Sequence, residues 1–177
     1  MKLFVNFFKK VFTNIRRVCY NMFNRKKRGG CSMLSAQTVA NTILMLAFEE
    51  DVPVTPMKLQ KLMYFAYKDF IRITKQPMFS ERFQKWRYGP VLPSIYYAFN
   101  DFGERPIKKF TRTATGRVEA VNMKCNSSEA TSIDKVWRKY KGYSGLTLSK
   151  LTHKKNTAWD KAIENGALKD EDIINEE

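Results

Sequence analysis

The sequence predicts a mainly α-helical fold of the α+β class. It reads as a compact helical domain with a small β-hairpin or short sheet, preceded by an amphipathic helical leader. Three observations predict it. Bulky apolar residues recur three and four apart through most of the chain, the period of one helix face. Ser and Thr stand where helices should begin, most clearly at Thr55-Pro56. Alternation of period two, the mark of a half-buried strand, is confined to short pieces near 82–88 and 117–123.

The leader spans residues 1–32. Phe4, Phe8 and Phe12 lie on one stripe with Leu3, Phe7, Val11, Ile15, Val18 and Phe23, while Lys9, Lys10, Arg16 and Arg17 take the opposite side. Arg25 to Arg28 follow as a basic run, and Gly29-Gly30 mark the boundary with the body, residues 33–177. A basic amphipathic helix of this kind lies on an anionic membrane or docks in a partner's groove. Packing on the body is the plainer use of such a stripe. Lys9 and Lys10 interrupt any apolar core, so a secretory signal is not indicated. Glycine codons can spell a ribosome-binding site, which makes Met33 a second candidate start beside Met1.

In the body, Ser35 or an adjacent residue caps a helix through Phe48, with Val39, Ile43, Leu46 and Ala47 on one face. Thr55 caps the next, in which Leu59, Leu62, Met63, Ala66, Tyr67, Phe70 and Ile71 make a wide stripe ending before Pro77. Arg82 to Tyr88 reads as an extended piece terminated by Gly89-Pro90, with residues 117–123 as its expected strand partner. Pro93 opens a helix bearing Ile95, Tyr96, Ala98, Phe99 and Phe102, stopped at Gly103. Ser127-Ser128-Glu129 start a helix carrying Ile133, Val136, Trp137 and Tyr140. A short helix over 144–151 is expected to turn Leu146, Leu148 and Leu151 inward. Asn156 caps a last one, 157–164, with Trp159 and Ile163 buried. The acidic end, 170–177, reads as frayed.

The net charge of +15 is unevenly spread, since nine of the 32 Lys and Arg lie in residues 1–28 and the first acid is Glu49. The body alone is only mildly basic, which weakens a nucleic-acid reading. Lys85, Trp86, Arg87 and Tyr88 do interleave bases and aromatics, but periodicity turns Trp86 and Trp137 inward. Three cysteines without a CxxC pair, and one histidine, suggest neither a disulfide framework nor a metal site. His153 reads as a hydrogen-bonded tie between helix ends rather than a catalytic base. No catalytic residues, metal or cofactor are expected, and no apolar run is long enough to span a membrane. The expectation is a cytoplasmic protein, peripheral to a membrane through residues 1–28 where the leader meets lipid.

Five stretches together are similar to one family: Ala40 to Leu44; Thr55 to Ala66 with its LQKLMYFA core; Phe83 to Val91 with WRYGPV; Pro93 to Tyr96; and Leu148 to His153. Their order and spacing resemble the Panacea domain of SocA-like, phage-associated antitoxins. The resemblance implies an antitoxin of a toxin–antitoxin system that neutralises a cognate toxin by direct protein binding, with a bacterial protease as a further partner where the antitoxin serves as an adaptor. Lys85, Trp86, Arg87 and Tyr88 are the candidate partner contacts, Lys85 and Arg87 first among them, with framework as the alternative reading of Trp86 and Tyr88 together with Gly89 and Pro90. Ala158 stands where family members commonly carry proline before Trp159. The rival readings are a nucleic-acid-binding regulator and a membrane-surface protein acting through its leader.

Overall fold

The computed structural model describes residues 33–176. All leader positions, including Phe4, Phe8, Phe12, Lys9, Lys10, Arg16 and Arg17, lie outside them. Seven α-helices and one two-stranded sheet make up the described residues. They are α1 (Ala36–Glu49), α2 (Pro56–Thr74), β1 (Gln84–Trp86), β2 (Gly89–Val91), α3 (Pro93–Phe99, continued by a 3-10 turn to Phe102), α4 (Ser128–Tyr140), α5 (Gly145–Thr152), α6 (Ala158–Lys161) and α7 (Asp170–Ile174). The mainly α reading with a small sheet is the fold observed.

Helix starts follow the caps. The hydroxyls of Ser35, Thr55, Ser127, Ser144 and Thr157 each accept a hydrogen bond from the backbone N–H three residues on. Pro56 opens α2 where a missing N–H leaves no bond unmade, and Lys75, left-handed at φ 58°, ends it. α2 is the centre of the molecule. α1, α3, α4, α5, α7 and β2 all pack on it, because its buried set includes Leu59, Leu62, Met63, Ala66, Tyr67, Phe70 and Ile71 and also Lys58, Gln60, Lys61 and Tyr64. A helix buried nearly all round must find internal partners for its polar side chains.

The second strand is not where the alternation put it. β1 pairs antiparallel with β2, joining Gln84 to Val91, Lys85 to Pro90 and Trp86 to Gly89. Gly89-Pro90 thus lie within the hairpin instead of ending it. Pro90 is tolerated because the Lys85 backbone faces the other way, donating to Gly166 O and accepting from Asn165 N, 2.9 Å each. Residues 117–123 form no strand. Their neighbourhood is held by α1 side chains: Asn41 Nδ2 donates to Thr111 O and Glu119 O, Asn41 Oδ1 accepts from Thr111 N, and Thr42 Oγ1 accepts from Val121 N. Side chains satisfy this backbone, so a ladder is not required.

Three further expectations are corrected. Leu146 is 62% exposed. The first turn of α5 meets α2 through Gly145, whose missing Cβ leaves room for the Lys58 backbone, and the contact face continues at Leu148, two residues and about 200° round from Leu146. The last predicted helix is capped by Thr157, not Asn156, and stops at Lys161, which leaves Ile163 79% exposed and Trp159 half-buried. It stops early because residues 165–168 leave to bond the outer edge of β1, with Leu168 N donating to Phe83 O. The acidic end is ordered as α7, with Ile173 buried and Glu176 only 3% exposed.

Candidate partner-binding hairpin

The hairpin is clamped from beneath by side chains of two helices. Gln60, on α2, accepts from Leu92 N (2.9 Å) and donates to Leu92 O (3.1 Å), copying the bonding of a neighbouring strand. One residue on, Lys61 Nζ donates to Pro90 O at 2.8 Å. From α5, Ser149 Oγ donates to Tyr88 O (2.8 Å), and His153 Nε2 lies 3.1 Å from Arg87 O. The backbone carbonyls of residues 87, 88, 90 and 92 are therefore all engaged by side chains. His153 ties α5 to the hairpin, with its Nδ1 2.6 Å from Ser149 O and its ring against Trp159.

Lys61 is the unusual member, an amine 1% exposed whose hydrogen bond goes to a backbone carbonyl and not to a carboxylate. Burial drives its amine from the ordinary lysine value down to about 7. Gly89 sits directly above it. Its φ of 100° belongs to glycine, and a Cβ there would meet Thr152 Oγ1 at 2.5 Å and Lys61 Cε at 3.0 Å. Gly89, Lys61 and Thr152 thus form one close-packed unit, so the tight turn and the buried amine depend on each other.

The four candidate residues divide. Arg87 and Tyr88 form the two-residue tip, both exposed, with the guanidinium 5.4 Å from the Tyr88 ring centre. Trp86 is half-buried. Its Nε1 donates to Gln84 Oε1, its carbonyl accepts from Trp159 Nε1, and its ring meets Tyr96 edge-on at 5.0 Å. Lys85 points to the other side, where Nζ donates to Asp160 O and Ala162 O and lies over the Trp159 ring. Sequence reasoning placed Tyr96 among packing residues and passed over Tyr97. Both are exposed, Tyr97 at 68%, and they extend the aromatic surface from Trp86 along α3. Gln60 and Lys61 were also missed as clamps, although two polar residues inside a core stripe were a signal that something buried needed bonding.

The blocks of sequence that looked alike to one family therefore meet in space: LQKL supplies two clamps, LSKLTH supplies two more, and WRYGPV is what they hold. Residues 59–160 match the family model described as Antitoxin SocA-like, Panacea domain. The chain belongs to this family. A curated relative, "Antitoxin SocA" of Caulobacter vibrioides (strain NA1000 / CB15N), is 36% identical over 74 residues, which cover 42% of this chain and 39% of the relative. The chain thus spans about two fifths of that relative's length. No solved structure matches the chain.

In this Panacea domain, Ala158 begins α6 and donates its N–H to Glu176 Oε1 at 2.6 Å. A proline there would have no N–H to give. No cluster of His, Cys, Asp and Glu able to hold a metal ion occurs among the described residues, and no helix among them is long and apolar enough to cross a membrane.

Proposed function

We propose that this Panacea domain is an antitoxin that neutralises a cognate toxin by stoichiometric protein binding, through the hairpin tip and the aromatic face beside it. The observation that carries the reading is the clamp. Four side chains from two helices hold the hairpin backbone, while Arg87, Tyr88, Tyr96 and Tyr97 remain exposed. Rigid presentation lowers the entropy cost of binding, and Arg and Tyr are the side chains that most often dominate interface energies. Lys85 and Trp86 support the tip from either side and reach a partner only at its rim.

The test is co-expression with the product of each adjacent gene, reading growth rescue and co-purification. Arg87→Glu and Tyr97→Ala, both at exposed positions, should each weaken the complex by about tenfold or more while leaving the melting temperature within a degree or two of the parent. Rescue at parental strength by the double variant would remove the hairpin from the interface. Absence of rescue and complex with every adjacent product would remove the antitoxin reading. In the same reading the bound toxin is handed to a bacterial protease, and toxin half-life with and without the antitoxin tests that step.

A further inference from the structure

Away from the hairpin, a cleft of about 790 Å³ opens between α2, α4 and the turn after α5. Its walls are apolar and aromatic, with Phe65, Val136, Tyr140, Leu151 and the 61%-exposed Ile73. Its polar lining is overwhelmingly basic: seven Lys and Arg against two carboxylates, Asp69 and Glu176. Both carboxylates are already engaged, Asp69 by Lys135 at 2.5 Å and Glu176 by Lys68 at 2.7 Å, while Lys161 pairs with Asp172. Arg72, Lys139, Lys154 and Lys155 have no ion-pair partner among the described residues, and all four are exposed.

We propose that this cleft binds an acidic, amphipathic polypeptide segment of a partner protein, its apolar side chains against Ile73 and Leu151 and its carboxylates on Arg72, Lys154 and Lys155. Charge decides among the occupants. The chain's own leader has nine bases and no acid, and a second copy carries +15, so like charge disfavours both. One observation favours polypeptide over nucleic acid. The aromatic rings are occupied by one another, Phe65 stacked on Tyr140 at 4.8 Å and Lys139 over the Tyr140 face, which leaves no free ring for a base.

The experiment uses the full chain and a fluorescein-labelled helical peptide of about four turns, with Glu on one face and Leu on the other. Two control probes accompany it: the same peptide with Lys in place of Glu, and a single-stranded oligouridylate. Saturable one-to-one binding of the acidic peptide, weakened by salt, is expected. The Arg72→Glu/Lys154→Glu/Lys155→Glu variant should weaken it roughly tenfold or more. Reversal of Lys108, Arg117 and Lys124, exposed and outside the cleft, should change it less than about twofold, since an equal change in overall charge acts only at longer range. The Gln versions of the three cleft substitutions should give an intermediate loss, and melting temperatures establish that every variant is folded. Equal losses from the cleft and control reversals, no binding of the acidic peptide, or tighter binding of the oligouridylate would each overturn the proposal.

Discussion

Lys61 makes the clearest single-residue argument. Its amine, buried under Gly89 and bonded to Pro90 O, is held near 7 when folded and returns to 10.5 when unfolded. Between those values the unfolded chain binds a proton that the folded chain does not, so rising pH stabilises the fold in that window. Tyr64 and Tyr67 act in the opposite sense. Burial, and then their bonds to the carboxylates of Glu176 and Asp170, hold both phenols above the ordinary 10.0, so stability falls once the unfolded tyrosines ionise. Denaturation midpoints should rise from pH ~7 to ~9 and fall by ~11, and Lys61→Met should remove most of the rise while keeping the fall, the remainder coming from Lys58, whose amine is also lowered by burial. Gly89→Ala adds a Cβ where Thr152 and Lys61 already sit, at a φ that disfavours side chains. It should cost about 2–4 kcal/mol in urea unfolding, combining backbone strain with overpacking.

Among elements, α2 and α7 show opposite relations to sequence. The α2 stripe was readable in full, and Leu62 is completely buried in it. Leu62→Ala should cost about 2–5 kcal/mol, and a variant melting with the parent would contradict its place in the core. The α7 segment looked like a solvated acidic tail because local pattern weighs charge and cannot see a distant partner. Tyr64 OH, Lys68 Nζ and Ala158 N all meet Glu176, which lies 112 residues from Tyr64 in sequence. Glu176→Ala removes the acceptor of two buried donors, the Tyr64 hydroxyl and the Ala158 N–H, and should cost about 3–5 kcal/mol, with Glu176→Gln losing less because an acceptor remains. Hydrogen exchange should show the greater loss at α6 and α7 if these bonds hold both helices in place.

At the scale of the molecule, every helix among the described residues that packs on α2 begins after residue 33. A chain of residues 33–177 should therefore keep the melting temperature of the full chain within a few degrees, since no described core residue is removed. The leader as a separate peptide should sediment with anionic vesicles and be released by salt, each base adding about 1 kcal/mol near the surface. Failure to bind anionic vesicles better than neutral ones would leave packing on the body as the use of its apolar stripe.

Helix starts were legible because a cap is a local event: Ser35, Thr55, Ser127 and Ser144 each bond an N–H three residues away, and each was read in place or within one residue. The strand partner was not. Residues 89–91 hold too few side chains to show a period, and they pair because Gln60 and Lys61 bind their carbonyls from another element. The candidate contacts at 85–88 come from the family-like WRYGPV block, where residue type alone sets Lys85 with Arg87 and Trp86 with Tyr88. Arg87 and Tyr88 reach solvent because they form the turn, and Lys85 turns back because Asp160 and Ala162 offer carbonyls on the opposite side. Local chemistry sufficed for the helices and for which face of α2 is apolar. The hairpin, the burial of Glu176 and the basic cleft arise from residues far apart in the chain, whose burial and bonding exist only once α2 has gathered the other elements around it.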